Sequence, residues 1–381
     1  MHIALNGWFW DQPYSGSGQY LRGLLLALLR LPDAPQVTLI LPHASADPLP
    51  EGVTVLLAPP RLGGHLGKVW FEQRAFPAMV RRSGADLAHV PYWGPPLSSP
   101  VPLVVSVLDV ISLALPEYRG GLLAGLYTSL IVAGARGANH ILTLSAASQA
   151  EVETHLNIPT KQITFTWLAV DERYTPRPDP QQDAVVRQKY GLPEDFALYF
   201  GGYDVRKNVN TLLLAWTYAG PALGEGVPLV LAGKPPAQWG GPRFPDLPAY
   251  ARALNIEKYV QWLGVVDEAD KPALYRAARV MAWPSLYEGF GLPLLEAMAC
   301  GTPVVASHVP ATRELVGDAG YLVEPENARE MGGALLALMG QDDLHQQQTN
   351  LVHGRATQFS WRKTAQQTLA VYQQVLAETG R

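Results

Sequence analysis

Two carboxylates and three glycines stand together in the segment 283–307, WPSLYEGFGLPLLEAMACGTPVVAS. Its pattern reads strand, loop, helix, tight turn, strand. The loop is Glu288-Gly289-Phe290-Gly291, and a helix opens near Leu292 with Pro293 in its first turn and Gly301 just past its end. Glycines let a backbone approach a ligand closely, and a helix start adds unpaired N–H donors at a positive dipole end. Together these suit a phosphate. Glu296 falls about one turn into the helix, roughly 5–7 Å of rise from the loop. Carboxylates repel phosphate but accept strong hydrogen bonds from sugar hydroxyls. Glu288 and Glu296 on either side of a phosphate cradle therefore fit a ligand laid out as ribose, diphosphate and sugar. The competing reading is two exposed surface glutamates beside an ordinary turn.

A second candidate is Tyr199–Asn208, YFGGYDVRKN, again at a strand end. Arg206 and Lys207 are adjacent cations on a loop. Their chemical reading is neutralisation of a diphosphate as it leaves, which stabilises charge developing in a transition state. A solvated pair of loop charges is the alternative.

On these residues the chain resembles the retaining glycosyltransferases of family 4, which have the GT-B fold and an E-x7-E signature. The resemblance runs almost the whole chain and is strongest from about Gly201 to Pro325. The subgroup with RKN after the first strand of the second domain, often mannosyltransferases of surface polysaccharide assembly, is the most similar. The resemblance implies that Glu288 contacts the transferred sugar and Glu296 holds the ribose hydroxyls. Backbone N–H groups of Phe290, Gly291 and Leu292, beside Gly289, would face the sugar and phosphates. It also implies that the turn Leu263–Lys271 (LGVVDEADK) holds the nucleobase through backbone around Val266, with Glu268 and Lys271 at positions that touch guanine in some relatives. A carboxylate can accept from both N1–H and N2–H of guanine, whereas uracil offers one N–H on that edge. Many relatives carry an Arg where this chain has Gly202, which shifts the weight onto Arg206 and Lys207.

In the N-terminal half, Gly16 and Gly18 follow the first strand and precede a helix. They superficially match a dinucleotide fingerprint, but Leu21 sits where the third small residue belongs and the second strand ends without an acid for a ribose. By resemblance this loop is instead part of the active-site rim near the donor phosphate. Val105–Ile111 (VSVLDVI) matches a strand end that often reads T-V-H-D; Leu108 replaces the His and Asp109 stays. Asp109 is carried over as a catalytic candidate, and Leu108 is the best support for a non-catalytic nucleotide-sugar binding protein. His89, His140 and His65 read as structural, and Ser145 and Ser148 as a helix cap.

No D-x-D triplet and no convincing metal-ligand spacing occurs, so no metal is expected. No cofactor is implied, the nucleotide-sugar being a substrate. Charged residues make up only 16% of the chain, below the roughly 25% of an average soluble domain. The net charge of −4 argues against a broad nucleic-acid binder. Cys300 is the one cysteine, which excludes an internal disulfide and fits a reducing, cytoplasmic setting. Gly120–Ala135 is apolar but short for a span; it reads as a buried or interfacial helix, which admits a peripheral membrane contact at the inner face.

The elements that must position these residues are legible as short β-rich runs separated by helical segments. Seven runs precede Pro180, from His2–Gly7 to Ile163–Val170, and six follow it, from Ala197–Gly202 to Gly320–Val323. Near-continuous apolar runs between helices predict parallel sheets covered on both faces. The fold class is therefore α/β, two doubly wound Rossmann-like domains facing across a cleft. The expected division is an acceptor-side domain over 1–175 completed by a C-terminal helix at 360–381, a linker over 176–190, and a donor-binding domain over 191–359. The expected activity is retaining transfer of a sugar from a nucleoside diphosphate, GDP-mannose first and a UDP-sugar as the alternative, to a hydroxyl of a glycan or lipid-linked acceptor. Oligomeric state is not legible.

Overall fold

The computed structural model describes residues 1–380. Thirteen strands form two all-parallel sheets, one in each of two compact units. The first unit comprises Met1–Ala169 together with the C-terminal segment from Ser360, and the second Val170–Phe359.

The first sheet contains β1 (His2–Asn6), β2 (Gln36–Leu41), β3 (Val53–Leu57), β4 (Leu87–Val90), β5 (Leu103–Ser106), β6 (His140–Thr143) and β7 (Ile163–Phe165), in the spatial order β3-β2-β1-β4-β5-β6-β7. The second contains β8 (Ala197–Phe200), β9 (Leu229–Ala232), β10 (Val260–Gly264), β11 (Val280–Trp283), β12 (Val304–Ser307) and β13 (Tyr321–Val323), in the order β10-β9-β8-β11-β12-β13. Central strands such as β4, β5, β9, β11 and β12 are buried at every position, which is why they read as continuous apolar runs. The edge strands β3 and β10 are only partly covered.

In each sheet the order of connection reverses once: between β1 and β4 in the first, and between β8 and β11 in the second. The crevice beyond the carboxyl ends at such a reversal is where doubly wound sheets bind ligands.

The C-terminal helix Trp361–Glu378 is one continuous helix capped by Ser360 and packs in the first unit. Its Tyr372 hydroxyl meets His89 Nδ1 at 2.6 Å; His89 Nε2 lies 2.8 Å from the Ser106 hydroxyl, which donates to Tyr20 at 3.0 Å. This chain is fully buried, and burial pushes the His89 pKa down to about 3, so the ring is neutral and structural. His140 likewise meets the Thr164 hydroxyl at 2.9 Å, and Ser145 caps the helix Ala146–Leu156 by accepting from the Ser148 N–H.

One segment differs from the sequence expectation, and a second fits only one of its two readings. Residues 180–190, expected as linker, form the helix Pro180–Tyr190, capped by Asp179. Only Val186 on it is buried, so it carries no apolar stripe; it is held instead by Asp183, which Arg276 grips through Nη2 and Nε. The apolar segment near 120–135 forms the helix Leu122–Arg136, and of the buried and interfacial alternatives the buried one fails. Leu122, Leu123 and Leu126 are exposed, and only Ile131, Gly134 and Ala135 are buried. Among the described residues no helix is long and apolar enough to cross a membrane.

Candidate functional site

The reversal between β8 and β11 brings the strongest candidates together. β8 leads into the short turn Val205–Lys207, and β11 into the loop that ends at Gly291. Lys207 Nζ donates to Glu288 Oε1 at 2.5 Å, and Arg206 Nη1 to Glu288 Oε2 at 3.1 Å. Arg206 also faces Asp204 at 3.3 Å, so two cations are balanced by two carboxylates. Lys207 further lies over the Trp283 ring, 4.3 Å from its centroid. Neither Lys207 nor Glu288 is a surface charge; each side chain is 9% exposed. For Glu288, burial would raise the pKa, but Lys207 and Arg206 outweigh it and hold the carboxyl below its ordinary value. Burial pushes Lys207 down, opposed by Glu288.

The helix Leu292–Ala299 begins at Gly291, whose φ of 103° is open to glycine and strained for other residues. Pro293 occupies its first turn and Cys300 its end, buried, with burial raising the thiol pKa to about 12. The backbone N–H groups of Phe290, Gly291 and Leu292 meet no acceptor among the described residues, leaving them available to an anion at the helix start.

Glu296 is 3% exposed, on the second turn of this helix, and accepts from the Tyr275 hydroxyl at 2.8 Å. Burial raises its pKa, countered by Lys271 and by hydrogen bonds from Tyr275 and Tyr174. Glu268 is paired on both oxygens: Oε2 with Lys271 at 2.6 Å, and Oε1 with Arg173 and the Tyr174 hydroxyl, each at 3.2 Å. Lys271 stands over Phe200, the last residue of β8. Beyond β8, β9 and β10 a cleft of about 220 Å³ is lined by Phe200, Gly201, Gly202, Gly233, Val265 and Val266, with Lys234 at its rim. Its floor depends on Gly233: a Cβ there would meet the Gly201 carbonyl oxygen at 1.9 Å, and φ is 142°.

Gly16, Gly18 and Asp109 belong to the first unit. Gly16 opens the helix Gly16–Leu29 with space around it. The Gly18 N–H donates to the Ser15 hydroxyl at 3.1 Å as part of the helix cap. Asp109 accepts from the Ile111 N–H at 3.2 Å, holding the turn after β5.

Sequence reasoning missed the residues that fix the site. Asn208, at φ 53°, donates from Nδ2 to the carbonyls of Pro284 at 3.1 Å and Pro325 at 2.8 Å. It thereby ties the loop of Arg206 and Lys207 to the loops after β11 and β13. The signal for it was an Asn beside two cations, a residue tolerant of the left-handed region. Tyr174 and Tyr275, which brace Glu296, carried none.

Residues 14–174 match the family model described as Glycosyltransferase Family 4, and residues 183–351 the one described as Glycosyl transferases group 1. The chain is similar to the O-antigen chain mannosyltransferase B of Escherichia coli, with 37% identity over 61% of this chain and 60% of that one. It is also similar to the serotype-specific mannosyltransferase WbdA of Escherichia coli, with 24% identity over 60% of this chain and 28% of that one. The chain thus spans 60% or less of the length of these relatives. Sucrose-phosphate synthase from Thermosynechococcus elongatus shares the fold, with a TM-score of 0.76 over 99% of this chain and 100% of that one, at 22% identity.

Proposed function

Because the chain belongs to the family 4 glycosyltransferases, we propose that it transfers mannose from GDP-mannose to a hydroxyl of a glycan or lipid-linked acceptor in polysaccharide assembly. The observation that carries this reading is the ion-paired triad of Glu288, Lys207 and the partly exposed Arg206 beside the open N–H groups of Phe290, Gly291 and Leu292. The mannosyltransferase relatives support the sugar and the setting.

In the proposed reaction the acceptor oxygen bonds to the anomeric carbon while the bond from that carbon to the phosphate oxygen breaks. The diphosphate leaves with the electron pair, and its oxygen takes the acceptor proton on the same face, which retains the anomeric configuration. Lys207, Arg206 and the helix start stabilise the charge that grows on the leaving group. Glu288 holds both cations in place before substrate arrives and turns toward the sugar hydroxyls. Transfer is therefore positioning plus electrostatic stabilisation, with no covalent intermediate on the protein. With two cations at the phosphates, turnover is expected to persist in EDTA. Loss of activity there, restored by manganese or magnesium, would contradict a metal-independent reaction.

Glu296 takes the ribose hydroxyls in this reading. Its replacement by Ala is expected to weaken donor binding by about ten-fold or more, the scale of losing a charge-assisted hydrogen bond. Unchanged donor affinity would remove it from that role. The base lies toward Val266 and Glu268. The two longer contacts at Glu268 Oε1, 3.2 Å each, are the ones that guanine N–H groups can replace. Titrating GDP and UDP by calorimetry tests this: GDP is expected to bind about ten-fold tighter, because guanine offers the carboxylate two N–H donors on that edge and uracil only one. Equal affinities or a preference for UDP would sink the guanine assignment and leave sugar transfer standing.

A further inference from the structure

The first unit has its own reversal point, between β1 and β4, and it too holds a buried charge cluster. Between the helices Gly64–Trp70 and Phe76–Ser83 the chain takes one π-helical turn, Phe71–Ala75. Such turns occur at functional sites. This one carries Glu72, which is fully buried. The Tyr127 hydroxyl lies 3.0 Å from both Glu72 oxygens, and Lys68 Nζ lies 3.0 Å from that hydroxyl and 3.3 Å from Glu72 Oε1. Lys68 Nζ also sits over three aromatic rings, those of Phe9, Tyr92 and Tyr127, at 5.2–5.5 Å. Phe9 and Tyr92 come from the segments that follow β1 and β4, so the cluster stands beyond the carboxyl ends at the reversal. Two of the three Lys68 N–H donors are used within the cluster, and its side chain is 22% exposed. Nearby, Trp93 is half-buried and its indole N–H has no partner.

We infer that this cluster binds a neutral pyranose unit of the acceptor, with Lys68 donating to a sugar hydroxyl and the surrounding aromatic side chains taking its apolar face. The inference rests on the glycosyltransferase reading and adds the residues and the ligand class. The chemistry favours an uncharged sugar over a phosphate. Lys68 is already compensated by Glu72, so an anion would meet a carboxylate as near to the ammonium as itself. Tyr92 is buried beneath the ammonium, while the half-buried rings of Phe9 and Tyr127 beside one charged donor suit the alternating apolar faces and hydroxyl rims of a pyranose.

The test is binding followed by turnover. Titrating α-mannobiose into the full chain, read by tryptophan fluorescence, is expected to give saturable quenching that weakens about ten-fold in Lys68→Met, the scale of losing one charge-assisted hydrogen bond. In turnover, the same variant should raise the acceptor KM by a similar factor while donor KM and acceptor-free donor hydrolysis stay within about two-fold of the parent. Should Lys68→Met leave Glu72 stranded and unfold the protein, the neutral pair Lys68→Met with Glu72→Gln reads the same quantities. Binding without any donor consumption by the parent would defeat the transfer reading and leave this site standing. No saturable quenching in the parent, an unaltered acceptor KM in the variants, equal losses of transfer and donor hydrolysis, or tighter binding of mannose 6-phosphate than of mannobiose would each overturn it.

Discussion

Glu288→Gln is expected to abolish measurable transfer, a loss on the order of 10³-fold or more. Two effects combine. The neutral amide cannot hold Lys207 and Arg206 at the 2.5 Å and 3.1 Å seen here, and it cannot serve as a charged acceptor for the sugar hydroxyls. The same change leaves two cations with Asp204 alone, and Lys207 is buried. Removing one partner of a buried pair costs about 3–5 kcal/mol of stability, so a lower melting temperature is expected alongside the loss of turnover. Measuring GDP affinity on the folded fraction separates the two: binding should persist while transfer does not. Near-parental turnover in Glu288→Gln would take this residue out of the site.

Lys207→Met carries the second largest effect. The substitution keeps the aliphatic stem over Trp283 and deletes the ammonium 4.3 Å from that ring. Losing one preorganised donor to a leaving group lowers turnover by about 10²-fold to 10³-fold. Because the charge is needed most as the diphosphate departs, kcat should fall more than donor affinity. Arg206 remains beside Glu288 and limits the damage to the ground state. A change of less than a few-fold would return Lys207 to a structural role, that of neutralising Glu288.

The strands were legible because central parallel strands are covered on both faces and so are written as uninterrupted apolar runs; β9, LVLA, and β12, VVAS, are examples. The loop and helix around Gly291 were legible because glycine and proline punctuate them. Residues 180–190 were not, since PQQDAVVRQKY buries a single side chain and is held by Arg276, which is distant in sequence. For the helix Leu122–Arg136 the sequence left buried and interfacial readings open, and only the buried one fails: apolar composition signals burial only where another element covers it, and Leu122 is 82% exposed.

At the site, spacing brought out Glu288 and Glu296 as a pair but not their environments. Glu288 meets cations about eighty residues away along the chain, while Glu296 is enclosed by Tyr275 and Tyr174. Such contacts arise where strands are placed side by side in the sheet, and no local pattern announces them. Lys68, Glu72 and Tyr127 remained silent for the same reason: they stand on a helix, on the π-helical turn that follows it and on a third helix beyond two strands, and each alone reads as an ordinary helical side chain.

The proposed retaining transfer from a nucleoside diphosphate mannose can be read directly from its products. The most direct measurement is to incubate the purified chain with GDP-α-mannose and α-mannobiose, quantify released GDP, and determine the anomeric configuration of the new linkage by NMR. GDP is expected one for one with a product whose new linkage is α. A β-linked product would contradict retention, and no nucleotide release with either GDP-mannose or UDP-sugars, under conditions where the nucleotide binds, would contradict catalysis itself.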